Sequence, residues 1–214
     1  MRLVERIERL LTDLELDAGK ELVDKLVRYV ELWQRWNFKV RLTSKMSVDE
    51  FVNSQLAESL LLYRLFGESG RYLDVGSGGG LPGIPIALLT GFDTALVESN
   101  YKKAAFLKLC KRELDVPWLD VYHGRIEELD EIRRIAPFRY ITARAVAPVR
   151  DILLWTADLA SDETVYLLPK GDKAEPELKE AEDLLRELGF AARMEKLTHP
   201  GRDRPYQVIV LTKR

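Results

Sequence analysis

The chain is 214 residues long, and its 33 Lys plus Arg against 35 Asp plus Glu leave a formal charge of −2. That balance argues neither for nor against a polyanionic partner, and the length suits one domain with an appendage better than two equal domains. A single cysteine, Cys110, excludes an internal disulfide and a thiol-based zinc cluster, and only His123 and His199 are available as imidazole ligands, so no metal is expected.

Residues 1–66 read as three helices. Leu3, Ile7, Leu10, Leu11 and Leu14 recur at helical spacing, as do Leu22, Leu26, Val30 and Trp33, with Asp17-Ala18-Gly19 between them. A third stripe, Val48, Phe51, Val52, Leu56, Leu60 and Tyr63, opens on Ser47 with Glu50 three residues on, the pattern of a capping box. Glu5 and Glu8 stand where a signal peptide would be apolar, and no run reaches transmembrane length, which points to the cytoplasm and away from a membrane.

After Gly67-Glu68-Ser69-Gly70 short apolar strands alternate with helices. Strands are expected at 71–75, 94–98, 118–122, 138–143, 163–169, 190–196 and 206–212, and helices near 83–90, 101–114, 126–135, 149–159 and 174–188. This alternation predicts an α/β domain over 67–214 built from parallel βαβ units, preceded by a helical extension over 1–66. The last two strands have no helix between them, only residues 199–205, so they should form an antiparallel hairpin at the sheet edge.

The chemistry-bearing segment is Tyr72-Leu73-Asp74-Val75-Gly76-Ser77-Gly78-Gly79-Gly80-Leu81-Pro82-Gly83, an apolar strand running into a glycine turn and then a helix. Such a turn lets backbone approach a ligand closely, at the carboxyl edge where doubly wound sheets bind cofactors. The glycines read GxGxG, whereas the dinucleotide fingerprint would need a glycine where Leu81 stands. The second strand ends at Glu98, placed to accept hydrogen bonds from both hydroxyls of an adenosine ribose. Cys110, among Phe106, Leu107 and Leu109, reads as a helix core residue rather than a nucleophile.

Charge is unevenly spread. Between Lys25 and Lys45 lie Lys25, Arg28, Arg35, Lys39, Arg41 and Lys45 against Glu31 alone, and the final stretch from Arg193 is also basic. One basic face on a neutral molecule would suit RNA, with a solvated, salt-bridged surface as the alternative. Trp33 continues an apolar helix face and reads as core, whereas Trp36 is less committed.

Taken together, Asp74-Val75-Gly76-Ser77-Gly78-Gly79-Gly80-Leu81-Pro82-Gly83-Ile84-Pro85, Arg144-Ala145-Val146-Ala147 after the fourth strand and Leu168-Pro169-Lys170-Gly171 after the fifth resemble the RsmG (GidB) family. The resemblance covers nearly the whole chain. It implies a class I S-adenosylmethionine-dependent methyltransferase: a Rossmann-like, seven-stranded, mostly parallel sheet with an antiparallel terminal hairpin. The implied activity is methylation of nitrogen 7 of a guanine in 16S ribosomal RNA of the small ribosomal subunit by a monomeric enzyme. By motif, Gly76, Ser77 and Gly78 form the cofactor turn, and Gly76 and Leu81 line its methionine side. Ile126 and Glu127 flank the adenine, Glu98 keeps its ribose role, and Arg144 sits beside the transferable methyl group as the catalytic residue. Gly76, Gly78 and Gly80 are expected to clear space for the amino-acid tail, and Arg35, Lys39, Arg41, Lys170, Arg202 and Arg204 to meet RNA. The prefix departs from the family pattern at Arg41, where members usually carry Asn, and at Gln55 and Glu58, where they carry His and Asp.

Nitrogen 7 of guanine holds an available lone pair at neutral pH, so its methylation needs alignment rather than a general base. Arg144 has the donors to meet the neighbouring carbonyl edge of guanine. A nicotinamide-dependent oxidoreductase is opposed by Leu81 and the terminal hairpin. A non-catalytic RNA- or ribosome-binding module is opposed by the intact turn, Glu98 and Arg144.

Overall fold

Apolar periodicity builds the helical prefix first. Helix α1 (Leu3–Asp13) buries Ile7, Leu10 and Leu11, and α2 (Lys20–Val40) buries Val23, Leu26, Tyr29, Val30 and Trp33 on the stripe that its sequence presents. The computed structural model describes residues 1–171, 173–198 and 205–213. Helix α2 ends at Arg41, whose φ of 52° is left-handed and whose N–H donates to the Asn37 carbonyl.

The Ser47 capping box is present: Glu50 N donates to Ser47 Oγ at 3.1 Å, and Ser47 N donates to Glu50 Oε2 at 2.6 Å. The third helix that it opens is not uniform. A short α3 (Val48–Glu50) widens into a π-helix over Phe51–Leu56, returns as α4 (Ala57–Leu61) and tightens into a 3₁₀ turn over Leu62–Leu65. The buried residues Phe51, Val52, Leu56 and Leu60 fit one apolar stripe, so the periodicity carried no sign of the change in winding.

The sheet comprises β1 (Tyr72–Val75), β2 (Thr94–Glu98), β3 (Leu119–His123), β4 (Phe138–Ala143), β5 (Ala160–Pro169), β6 (Phe190–Leu197) and β7 (Tyr206–Lys213). Their order is β3-β2-β1-β4-β5-β7-β6, with β1 to β5 parallel and β7 antiparallel to both β5 and β6. Connecting helices are α5 (Gly83–Thr90), α6 (Tyr101–Glu113), α7 (Asp130–Ile135) and α8 (Val149–Thr156), followed by α9 (Ala174–Glu180) and α10 (Glu182–Glu187). The helix expected over 126–135 is a 3₁₀ turn followed by α7, and that expected over 174–188 divides at Ala181.

Strand alternation sends successive side chains to opposite faces of the sheet. Tyr72, Leu96, Tyr140 and Val210 pack into a core shared with α1, α2, α5, α6 and the third helix, whereas Leu73, Val97, Ile141 and Ile209 face α7 to α10. The prefix therefore has no separate core. Trp33 stacks on Phe51 at 3.7 Å with an interplanar angle of 13°, and Cys110 is fully buried on the same side, as its neighbours imply.

One shared core predicts one unfolding transition. Phe51→Ala should lower stability by ~3–5 kcal/mol and shift tryptophan fluorescence and far-ultraviolet circular dichroism together. An early, separate fluorescence transition would show that the prefix unfolds independently.

Candidate active site

The turn after β1 is strapped to its neighbours by backbone hydrogen bonds. Gly76 N and Ser77 N both donate to the Val97 carbonyl at 2.8 and 3.0 Å, and Gly80 N donates to Ser77 O at 2.7 Å. Ser77 Oγ donates to the Asp74 carbonyl at 2.9 Å, and Tyr29 Oη of α2 donates to Gly79 O at 2.7 Å.

The glycines do different jobs, which corrects the expectation that three of them clear space for a ligand. All of Gly76, Gly78 and Gly80 have left-handed φ, but a Cβ on Gly76 would lie 2.4 Å from Val146 Cγ2, and one on Gly80 would lie 2.5 Å from Ile84 Cδ1. Those two are glycine so that protein can pack against them. At Gly78 the nearest atom is the Gly76 carbonyl at 3.8 Å, so this glycine alone faces open space. Leu81, just beyond, is buried.

Glu98 closes β2 beside this opening. Its Oε2 accepts from Gly78 N at 2.8 Å and its Oε1 from Asn100 N at 2.7 Å, so the carboxylate fixes the turn while each oxygen keeps a further acceptor site. Asn100 caps α6 with its own side chain. Beyond the end of β3, Ile126 is buried and Glu127 is exposed, with Arg125 3.5 Å away. Beneath the turn, Asp74 Oδ1 accepts from Thr142 Oγ1 at 2.6 Å. Burial pushes the Asp74 carboxyl up to about 7, against the lowering pull of hydrogen bonds from Thr142, Ser77 and Gly83.

Register brings the fourth strand into the same place. Val75 pairs with Ala143, so Gly76 and Arg144 are the next residues of adjacent parallel strands. Arg144 is held from the prefix: its Nη2 donates to Gln55 Oε1 at 2.6 Å and Glu58 Oε2 at 2.8 Å, and its Nη1 lies 3.4 Å from the Gln55 carbonyl. Gln55 and Glu58, two of the three positions at which the prefix departs from the family pattern, are thus the ones that grip Arg144. The π-helix and α4 place Gln55 and Glu58 one turn apart on that side.

Lys170 lies after β5 as expected but is not a solvated cation. Its side chain is 8% exposed, pairs with Glu177 Oε2 at 2.8 Å and donates to the Ala147 carbonyl at 2.6 Å. Its charge is spent inside the protein, where it helps to wall a cavity of about 900 Å³ that Arg144, Glu58, Glu177 and Tyr206 also line. The basic stretch is likewise divided. Lys25 pairs with Glu21, Arg28 with Glu113 and Arg35 with Glu31, whereas Lys39, Arg41 and Lys45 are exposed with no ion pair among the described residues. Arg202 and Arg204 lie outside the described residues. Trp36 is partly buried against Phe106, 5.7 Å between ring centroids. Sequence reasoning missed Tyr29, which looks like one more core aromatic on the α2 stripe, and Phe38, which lies off that stripe and is 93% exposed.

The sequence model of the GidB family, described as rRNA small subunit methyltransferase G, matches residues 22–203. The chain belongs to this family. It is 32% identical to ribosomal RNA small subunit methyltransferase G of Neisseria gonorrhoeae, over 99% of this chain and 100% of that one. With the protein of the same name from Halorhodospira halophila, identity is 33% over 85% of each chain. Among solved structures, the O-methyltransferase from Bacillus cereus in complex with SAH superposes with a TM-score of 0.59 at 15% identity, covering 97% of both chains, a likeness of fold. No helix among the described residues is long and apolar enough to cross a membrane.

Two predictions follow from this geometry. Gly78→Ala and Gly80→Ala share the penalty of a left-handed backbone, about 1–2 kcal/mol. Gly78→Ala should cut S-adenosylmethionine affinity at least tenfold by calorimetry, whereas Gly80→Ala should chiefly lower the melting temperature through its clash with Ile84. The reverse pattern would misplace the opening.

The second concerns Asp74. Its folded value of about 7 lies above the ordinary 3.8, so the folded chain holds this proton more tightly and the group's contribution to stability declines as pH rises through that interval. Asp74→Asn, unable to ionise, should flatten the decline in unfolding free energy between those pH values. Equal slopes in parent and variant would exclude this role.

Proposed function

We propose that the chain transfers a methyl group from S-adenosylmethionine to nitrogen 7 of a guanine in 16S ribosomal RNA, as a cytoplasmic monomer. Residues 1–66 form a wall of the RNA site and residues 67–214 bind the cofactor. The observation that carries this reading is the fixed Arg144 guanidinium, one strand over from the open Gly78 turn and at the side of a cavity large enough for a nucleotide.

The residues present suit the cofactor. The opening at Gly78 accepts its amino-acid end, the spare lone pairs of Glu98 meet its ribose, and Ile126 with Glu127 flank its adenine. When bound, it supplies an electrophilic methyl group on a sulfonium. Gly76, Ser77 and Leu81 complete the turn that fixes its position.

What the protein adds is orientation and charge. Arg144 uses Nη2 for Gln55 and Glu58 and has other N–H donors to offer the guanine carbonyl, which aims the nitrogen 7 lone pair. A guanine methylated at nitrogen 7 becomes cationic, and an unpaired Arg144 would oppose that charge. Glu58, at 2.8 Å, offsets it. Lys170 and Glu177 hold the opposite wall in shape, and Lys39 and Arg41, with the more weakly tied Arg35, reach toward phosphates.

Arg144→Ala should lower the single-turnover methyl-transfer rate ~100-fold or more at saturating cofactor and RNA. Glu58→Gln retains a hydrogen bond to Arg144 but not its neutralisation, and should slow transfer about tenfold with S-adenosylmethionine affinity unchanged. Mapping the modified nucleotide in small subunits lacking the methylation checks the assignment: transfer to another atom, or an unaltered rate in Arg144→Ala, would overturn it.

A further inference from the structure

The end of α2 and the turn after it enclose a second groove, of about 660 Å³, that shares no lining residue with the cavity beside Arg144. We propose that it is a subsite for one unpaired nucleotide of the RNA substrate, flanking the methylated guanine, with the base stacked on Phe38 and phosphates held by Arg41 and Lys45. This rests on RNA being the substrate.

Three features that the fold itself does not explain meet here. Phe38 leaves its ring 93% exposed, while the other face of α2 buries Tyr29, Val30 and Trp33. An exposed phenyl ring gains nothing from folding, but it is a platform on which any unstacked base can lie. Arg41 takes a left-handed φ of 52°, a conformation that disfavours every residue with a Cβ and is tolerated best by Gly or Asn. A long cation kept in that conformation puts its charge at the rim of the groove. Lys39, Arg41 and Lys45 are also the exposed cations of this stretch that carry no ion pair among the described residues.

The groove is built rather than incidental. Asn37 accepts from Thr43 N at 2.9 Å and donates to the Ser44 carbonyl at 3.4 Å, which sets the shape of the turn. Between them Leu42 is buried, and a Cβ on Gly79 would lie 3.3 Å from Leu42 Cβ. The turn that forms one wall of the groove, through Thr43, therefore packs directly on the cofactor turn. Single-stranded RNA is recognised through such aromatic stacking with cations along the backbone.

The test uses the full chain and a fluorescein-labelled unstructured oligoribonucleotide, with small-subunit RNA as methyl acceptor. Phe38→Ala should weaken oligonucleotide binding ~5- to 100-fold with an unchanged salt slope, and raise the KM for RNA, while Phe38→Trp retains parental affinity. Lys45→Gln should weaken binding and reduce the salt slope by about 0.7. Arg41→Gly should do the same while raising the melting temperature by ~1–3 °C as the backbone strain is relieved. Equal affinity in Phe38→Ala and Phe38→Trp would overturn the proposal, as would an unaltered affinity in Arg41→Gly. A parent chain that binds the oligonucleotide through Phe38 yet methylates no ribosomal RNA would leave the groove standing and overturn the methylation reading instead.

Discussion

The turn from Gly76 to Pro82 is the constraint on which the rest of the molecule depends, because the sheet, the helical prefix and the helices α5 and α6 all close on it. Strand β2 supplies the Val97 carbonyl and the Glu98 carboxylate, α2 supplies Tyr29, and the segment after α2 supplies Leu42. The loop after β4 presses Val146 on Gly76, and α5 and α6 press Ile84 and Leu107 on Gly80. A loop bonded from so many sides has little freedom left, so a ligand seated at Gly78 meets a surface already in its bound shape. Methyl transfer to a nitrogen that already carries its lone pair asks for little else than such alignment.

Buried charge does the second half of the work, and it does so in pairs. Arg144 with Glu58 and Lys170 with Glu177 both sit at the cavity wall with side chains that are mostly enclosed. Removing one member of such a pair strands the other and costs about 3–5 kcal/mol, whereas the intact pair contributes little to stability. Their value is positional. The first joins elements distant in sequence, the third helix and the end of β4; the second ties α9 to the adjoining end of β5, whose Lys170 also reaches the Ala147 carbonyl beyond β4.

Much of this was legible in the sequence, for identifiable reasons. Strand, glycine turn, helix and terminal acid are local patterns, and the alternation that follows restricts the sheet to parallel crossovers, so the placement of Gly78, Glu98 and Arg144 at one edge could be read from order alone. What escaped are features decided by tertiary neighbours. Nothing local distinguishes Gly78 from Gly76 or Gly80; only Val146 and Ile84 do so. Lys170 reads as a cation free to meet RNA until Glu177 and Ala147 are brought to it. The π-helix over Phe51–Leu56 is invisible because its buried residues, Phe51, Val52 and Leu56, also fit the apolar stripe of an ordinary α-helix. Conversely, the split of the expected helix at Ala181 has no breaker residue in the sequence to announce it.

The places where local preference loses gather around the turn after β1. Asp74 retains a buried carboxyl whose ionisation burial opposes, Arg41 retains a left-handed backbone, and Arg144 retains a charge that needs Glu58 beside it. A sequence chosen for stability alone would replace each: an uncharged residue at Asp74, Gly or Asn at Arg41, an apolar pair at Glu58 and Arg144. The large shared core beneath the prefix offsets these penalties. Without it the third helix could not hold Gln55 and Glu58 against the end of β4, and the guanidinium would lose its fixed orientation.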